Sequence, residues 1–167
     1  ARSYRAGDLT SVWVPDVQHE ALRDLVRARE AAKKDELRAR HRLGKFLLRR
    51  GLRPSPGVKA WTVKHRDWMR GLCFEQPAQE AAFLDYLNEV DHARDRIGRL
   101  ERALDIAVET APVAVRSVID ALQALRGVSK LTAVTVVSEV GNLSRFARPR
   151  FLMGYTGLVS SEHSSGS

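Results

Sequence analysis

The sequence predicts an all-α protein: a long antiparallel helical hairpin of the coiled-coil type, followed by a small domain resembling a helix-hairpin-helix. Two long runs repeat their apolar positions three and four residues apart, the spacing of a coiled-coil seam. A Pro- and Gly-bearing stretch, residues 51–75, separates them and lets the chain reverse. Two shorter amphipathic segments then flank a tight turn at Gly127. With 29% charged residues and 7% aromatics in 167 residues, the composition suits elongated helices better than a compact ball.

Residues 1–15 read as irregular or weakly extended. Gly7 and Asp8 make a turn, with Asp8 a cap or turn residue, and Val12, Trp13 and Val14 form a short apolar clip before Pro15. A helix is predicted from Asp16 to Arg50, with Asp16 and Glu20 suiting its positive N-terminus. Its seam runs through Leu22, Leu25, Arg29, Ala32, Glu36, Ala39, Leu43 and Phe46. The second seam is Phe83, Leu87, Val90, Arg94, Ile97, Glu101, Leu104, Val108 and Ala111. Each helix is roughly 50 Å long at 1.5 Å per residue. Each seam carries one Arg and one Glu seven residues apart, so antiparallel packing sets Arg29 toward Glu101 and Glu36 toward Arg94. Because a lone helix pair is weakly stable, two hairpins are expected to join as a homodimer or higher homo-oligomer.

At the tip, Trp61, His65 and Trp68 are placed on one face of a short helix beside Lys59, Lys64, Arg66 and Arg70. They could stack on unpaired bases, but aromatics at helical spacing more often form a satellite core, and that reading is preferred. Beyond residue 111, Pro112 precedes a helix from Val113 to Leu125, and a second helix runs from Leu131 to Val140, ended by Gly141 and Asn142. Between them Gly127, Val128, Ser129 and Lys130 form a turn whose backbone N–H groups, beside a helix N-terminus, suit a phosphate. The competing reading is two core helices joined by a Gly turn. Ser129 stands where many such turns have a second Gly, which narrows the backbone approach. Arg145, Arg148 and Arg150 follow as a basic patch suited to a nucleic-acid backbone, with a short helix starting at Pro149.

The net charge of +8 and pI near 10.2 point to a polyanionic partner. Residues 1–50 carry +6 and residues 76–111 carry −4, opposite signs for helices lying side by side. The five histidines and Cys73 show no metal-ligand spacing, so no metal site is predicted. The absence of a long apolar run or leader excludes a membrane-spanning or secreted chain, and a single cysteine fits a reducing, cytoplasmic setting. Residues 160–167, SSEHSSGS, read on composition alone as a polar tail.

The run from Leu122 through LRGVSKLTA and SEVGNLSRF to FLMGYTGLVSSEHSSG resembles the C-terminal domain of the DEDD transposases and Piv-type invertases, whose members include the "IS one-ten" insertion sequences. At the other end, residues 2–15 resemble the segment leaving that family's N-terminal RuvC-like domain. The resemblance implies three regions: a linker at 1–15, a coiled-coil hairpin at 16–111, and the start of a serine transposase domain at 112–167. It implies DNA strand exchange in bacteria through a serine–phosphate intermediate, with the family's Ser-Gly pair falling on Ser165 and Gly166 and Ser164 as the fallback nucleophile. It also implies DNA and a bridging noncoding RNA as partners, and magnesium on carboxylates of the RuvC-like domain, outside this chain. The chain alone is then expected to be inactive. The rival readings are a non-catalytic nucleic-acid-binding or dimerisation module and a purely structural helical dimer.

Overall fold

The computed structural model describes residues 14–158. Its regular structure is helical, with no strand among the described residues, as the periodicity predicts. The α-helices are α1 (Val17–Leu48), α2 (Val63–Arg70), α3 (Pro77–Thr110), α4 (Val113–Gln123), α5 (Lys130–Val140) and α6 (Pro149–Tyr155), with a 3-10 turn at Leu143–Arg145. No described helix is long and apolar enough to cross a membrane. The described residues divide into two compact units: Arg27–Asp105 forms one, and the residues up to Val26 together with those from Ile106 form the other.

In the Arg27–Asp105 unit, α1 and α3 run antiparallel. Arg29 pairs with Glu101 at 2.8 Å, Arg96 with Asp35 at 3.0 Å, and Arg42 with Glu89 at 3.5 Å, so numbers rise along one helix as they fall along the other. The apolar periodicity explains the seam. Ala32, Ala39, Leu43 and Phe46 of α1 are buried, as are Phe83, Val90 and Ile97 of α3 at seven-residue intervals. The two small alanines leave the helix axes room to approach.

Two expectations need correction. Arg94 and Glu101 do not sit in the buried seam: both are exposed, while Ala93 and Leu100, one residue earlier, are half-buried. One residue is a turn of about 100° around a helix, and that rotation puts apolar atoms inward instead of charges that are costly to desolvate. Glu36 is buried at 4% exposure, but it accepts from Arg40 at 2.5 Å and Lys33 at 3.1 Å on its own helix. Long flexible cations one turn away reach it more readily than an exposed Arg94 across the seam.

The tip is a satellite core, as preferred from the sequence. Leu52, Trp61, Trp68, Leu72 and Phe74 pack against a cluster that includes Leu43, Phe46, Met69 and Phe83. Phe46 lies at its centre, 5.8 Å from Phe74, 6.3 Å from Phe83 and 5.5 Å from Tyr86 between ring centroids. Thr62 caps α2 by accepting from the His65 N–H. Trp61 therefore precedes the helix instead of sharing its face with His65 and Trp68, and it has a left-handed backbone, φ +64°. Arg66 pairs with Asp91, tying α2 to α3.

In the other unit, Asp16 opens α1 by accepting from the Gln18 and His19 N–H groups at 3.0 and 2.8 Å. Those bonds, His19 foremost, hold its carboxyl below the usual carboxylate range. Helices α4 and α5 pack on each other, burying Val115 and Ile119 against a face that includes Ala133, Val134 and Val137. Arg23 ties α1 to α5, its Nε donating to the Ser138 carbonyl at 3.1 Å and lying 3.5 Å from Glu139. A cation on the C-terminal carbonyls of α5 also suits the negative end of its dipole. Arg116 does the same for α3, donating to the Glu109 carbonyl at 3.2 Å.

Candidate nucleic-acid interface

The α4–α5 connection carries the predicted turn. Gly127 adopts φ +87°, and a Cβ placed there would meet no atom within 4 Å. Glycine is thus required by backbone conformation and not by crowding. Its surroundings are open to an approaching ligand. Val128 is half-buried and donates its N–H to the Leu125 carbonyl at 3.1 Å, closing the turn.

Ser129, where a second glycine would allow closer approach, is the N-cap of α5. Its Oγ accepts from the Thr132 N–H at 3.2 Å and lies 2.9 Å from Thr132 Oγ1. One donor of the helix start is therefore bound within the chain, while the cap itself stays exposed. Lys130 follows as the first residue of α5 and is half-buried.

The predicted arginine patch separates into two kinds of residue. The Arg145 guanidinium lies 4.5 Å from the ring centroids of both Phe146 and Tyr155, and it donates to the Val140 carbonyl at 3.2 Å. It holds the corner between α5 and α6, a cation over two aromatic faces. All three arginines are exposed, Arg148 and Arg150 at the start of α6 with Arg150 lying 5.4 Å from the Phe151 ring. Sequence spacing alone missed this difference, since the ring that captures Arg145 is ten residues further along.

Ser164, Ser165 and His163 lie outside the described residues. Among the described residues no group of three or more His, Cys, Asp or Glu side chains stands together as a metal cradle.

Residues 119–167, which take in the turn, the arginines and Ser165, match the family model described as "Transposase IS116/IS110/IS902 family". A Sinorhizobium fredii protein named "Putative transposase y4qE" is 41% identical over 166 residues, covering 99% of this chain and 38% of its own length. The "Transposase for insertion sequence element IS1533" of Leptospira borgpetersenii is 32% identical over 151 residues, covering 90% of this chain and 42% of its own length. The chain thus spans about two-fifths of the length of these curated relatives. No solved structure matches it. The family model matches the last third of the chain and two transposases align with nearly all of it, so the chain is similar to a fragment of an IS116/IS110/IS902-type transposase.

Proposed function

We propose that this chain forms part of a transposase acting in DNA strand exchange in the bacterial cytoplasm, with Ser165 as the nucleophile and the α1–α3 hairpin joining protomers. The observation that carries this reading is the family match over residues 119–167, which spans the α4–α5 turn, the exposed arginines and the Ser165-Gly166 pair. The Ser165 hydroxyl attacks a DNA phosphodiester and releases the adjoining strand end as a hydroxyl, leaving a serine–phosphate link that the partner strand resolves. Arg148 and Arg150 offset phosphate charge near that step. Arg145 positions their segment instead of binding phosphate. The open backbone at Gly127, with Lys130 beside it, supports a second phosphate contact.

Dimerisation is supported by what the hairpin leaves uncovered. Leu37, Leu48 and Leu84 on its two long helices stay 53%, 57% and 47% exposed. DNA and a bridging noncoding RNA are the partners this reading implies.

The deciding experiment is strand transfer by the full gene product carrying Ser165→Ala. Lost transfer with retained DNA binding is the expected result, with Ser164→Ala active. Strand transfer at the unsubstituted rate in Ser165→Ala would overturn the assignment and favour a non-catalytic binding module.

A further inference from the structure

Where α1 meets the tip, the chain forms an open cavity of about 540 Å³, well within the ~300–1,000 Å³ typical of small-ligand sites. Its lining includes Trp61, His65 and Trp68 from the tip and Gly44, Arg40 and Lys45 from α1. The rings form a connected series, Trp61 to His65 at 5.7 Å and His65 to Trp68 at 5.3 Å between centroids. The Arg40 guanidinium lies 4.8 Å from the Trp61 ring centroid. These rings pack on the core yet also line the opening, so a satellite-core role uses only part of their surface.

Three further observations indicate a guest. Gly44 lies inside α1, where glycine is disfavoured against alanine, and neither a positive φ nor crowding requires it: a Cβ there would meet nothing within 4 Å. Its absence of side chain keeps the cavity open. His65 Nδ1 and Arg40 Nε, both belonging to lining residues, are buried without a hydrogen-bond partner. The segment is also rich in cations: residues 40–70 hold ten Lys and Arg against a single acid, Asp67, and although Arg40, Arg42, Arg66 and Arg70 pair with Glu36, Glu89, Asp91 and Asp67, six further cations remain, Lys45 among the cavity's lining.

We propose that this cavity binds one unpaired base of a single-stranded nucleic acid, stacked on the Trp61 and Trp68 side, with the flanking phosphates on the cations around it. Aromatic faces stack on any base, and a cationic rim follows the backbone, so the site would hold strand without reading sequence. The aromatic walls select this occupant over an acidic peptide, which matches the charge but brings no base to stack on Trp61 and Trp68. The proposal does not depend on Ser165, so failure of the serine chemistry would leave it standing.

The test is tryptophan fluorescence of the full chain carrying Trp13→Phe, so that Trp61 and Trp68 report, titrated with an eight-residue oligothymidylate and an oligouridylate. Saturable quenching by either supports the site, and their ratio tells DNA from RNA. Gly44→Leu should weaken this binding at least tenfold while circular dichroism shows helix content and melting midpoint held or raised. Gly44→Ala should weaken it less, and it preserves the test if the leucine variant does not fold. Unchanged affinity in both variants, an absence of saturable quenching, or equally tight binding and quenching by a duplex of the same length would overturn the proposal.

Discussion

Glu36 is the most informative position at which to test the energetics of the hairpin. Its carboxylate is 4% exposed in an otherwise apolar seam, while its partners Lys33 and Arg40 keep 45% and 27% of their side chains in solvent. Ion pairs one helical turn apart are worth about 0.3–0.5 kcal/mol each, and solvent around these cations keeps them at that level. Desolvating the carboxylate costs several kcal/mol by comparison. Replacing Glu36 with leucine removes that cost, adds a buried side chain worth about 1.5–3 kcal/mol, and leaves Lys33 and the tip of Arg40 to turn to water, although Arg40 Nε stays buried. Burial therefore outweighs pairing, and Glu36→Leu is expected to stabilise the chain by about 1–2 kcal/mol, the burial gain of about 1.5–3 kcal/mol less the cost of leaving Arg40 without its carboxylate. At about 2–4 °C per kcal/mol for a chain of this size, the melting midpoint followed by circular dichroism should rise by about 2–8 °C. Glu36→Ala, which leaves the space unfilled, should fall below the leucine variant. A polar seam residue also restricts register and partner choice, so sedimentation should show Glu36→Leu populating a wider set of oligomers. A lower midpoint for Glu36→Leu would refute the reasoning, because it would mean that the two ion pairs outweigh the desolvation of the carboxylate.

Gly127→Ala should cost about 1–2 kcal/mol in thermal unfolding, since φ +87° strains any residue with a Cβ although no neighbour obstructs it; wild-type stability would show that the turn does not require that conformation. A double-mutant cycle of Arg29→Ala and Glu101→Ala should give a coupling of only about 0.2–1 kcal/mol, because Glu101 is half in solvent, and a coupling above that range would place the pair in a drier seam. Burial pushes the His65 pKa below 6.5, so the fold favours the neutral ring. The stability this contributes is complete above about pH 6.5 and is lost as the pH falls through the lowered folded value. His65→Phe should therefore flatten the acid side of the melting profile, and an unchanged profile would assign that slope to other groups.

The fold was legible because one physical rule, apolar residues returning every three or four positions, acts along each helix without help from distant contacts. Leu43, Phe46, Phe83, Val90 and Ile97 could be placed inside from spacing alone, and they are buried. The rule fails where apolar spacing admits two registers. Reading Arg94 and Glu101 as seam overlooked Ala93 and Leu100, one step earlier, which bury less area but no charge. It also could not anticipate the left-handed backbone of Trp61, which depends on how the tip folds back on Arg40 and His65.

The candidate interface was legible in residue type and much less so in role. Arg145, Arg148 and Arg150 are equivalent in the sequence, each a cation near Pro149. Their surroundings part only when α6 brings Tyr155 back over the corner and Arg145 lies against two rings and the Val140 carbonyl. A guanidinium so placed has given up part of its hydration and its freedom, and moving it to a phosphate would break three contacts to make one. Arg145 is exposed like Arg148 and Arg150, but it would give up these contacts on meeting a phosphate. The same reasoning applies to Arg23, whose position near the start of a long helix suggests a solvated surface charge. It instead lies on the last carbonyls of α5, more than a hundred residues away, where it meets the unsatisfied acceptors that every helix leaves at that end. In this protein the role of an arginine is decided by the carbonyl or ring that reaches it first, and local sequence does not record that.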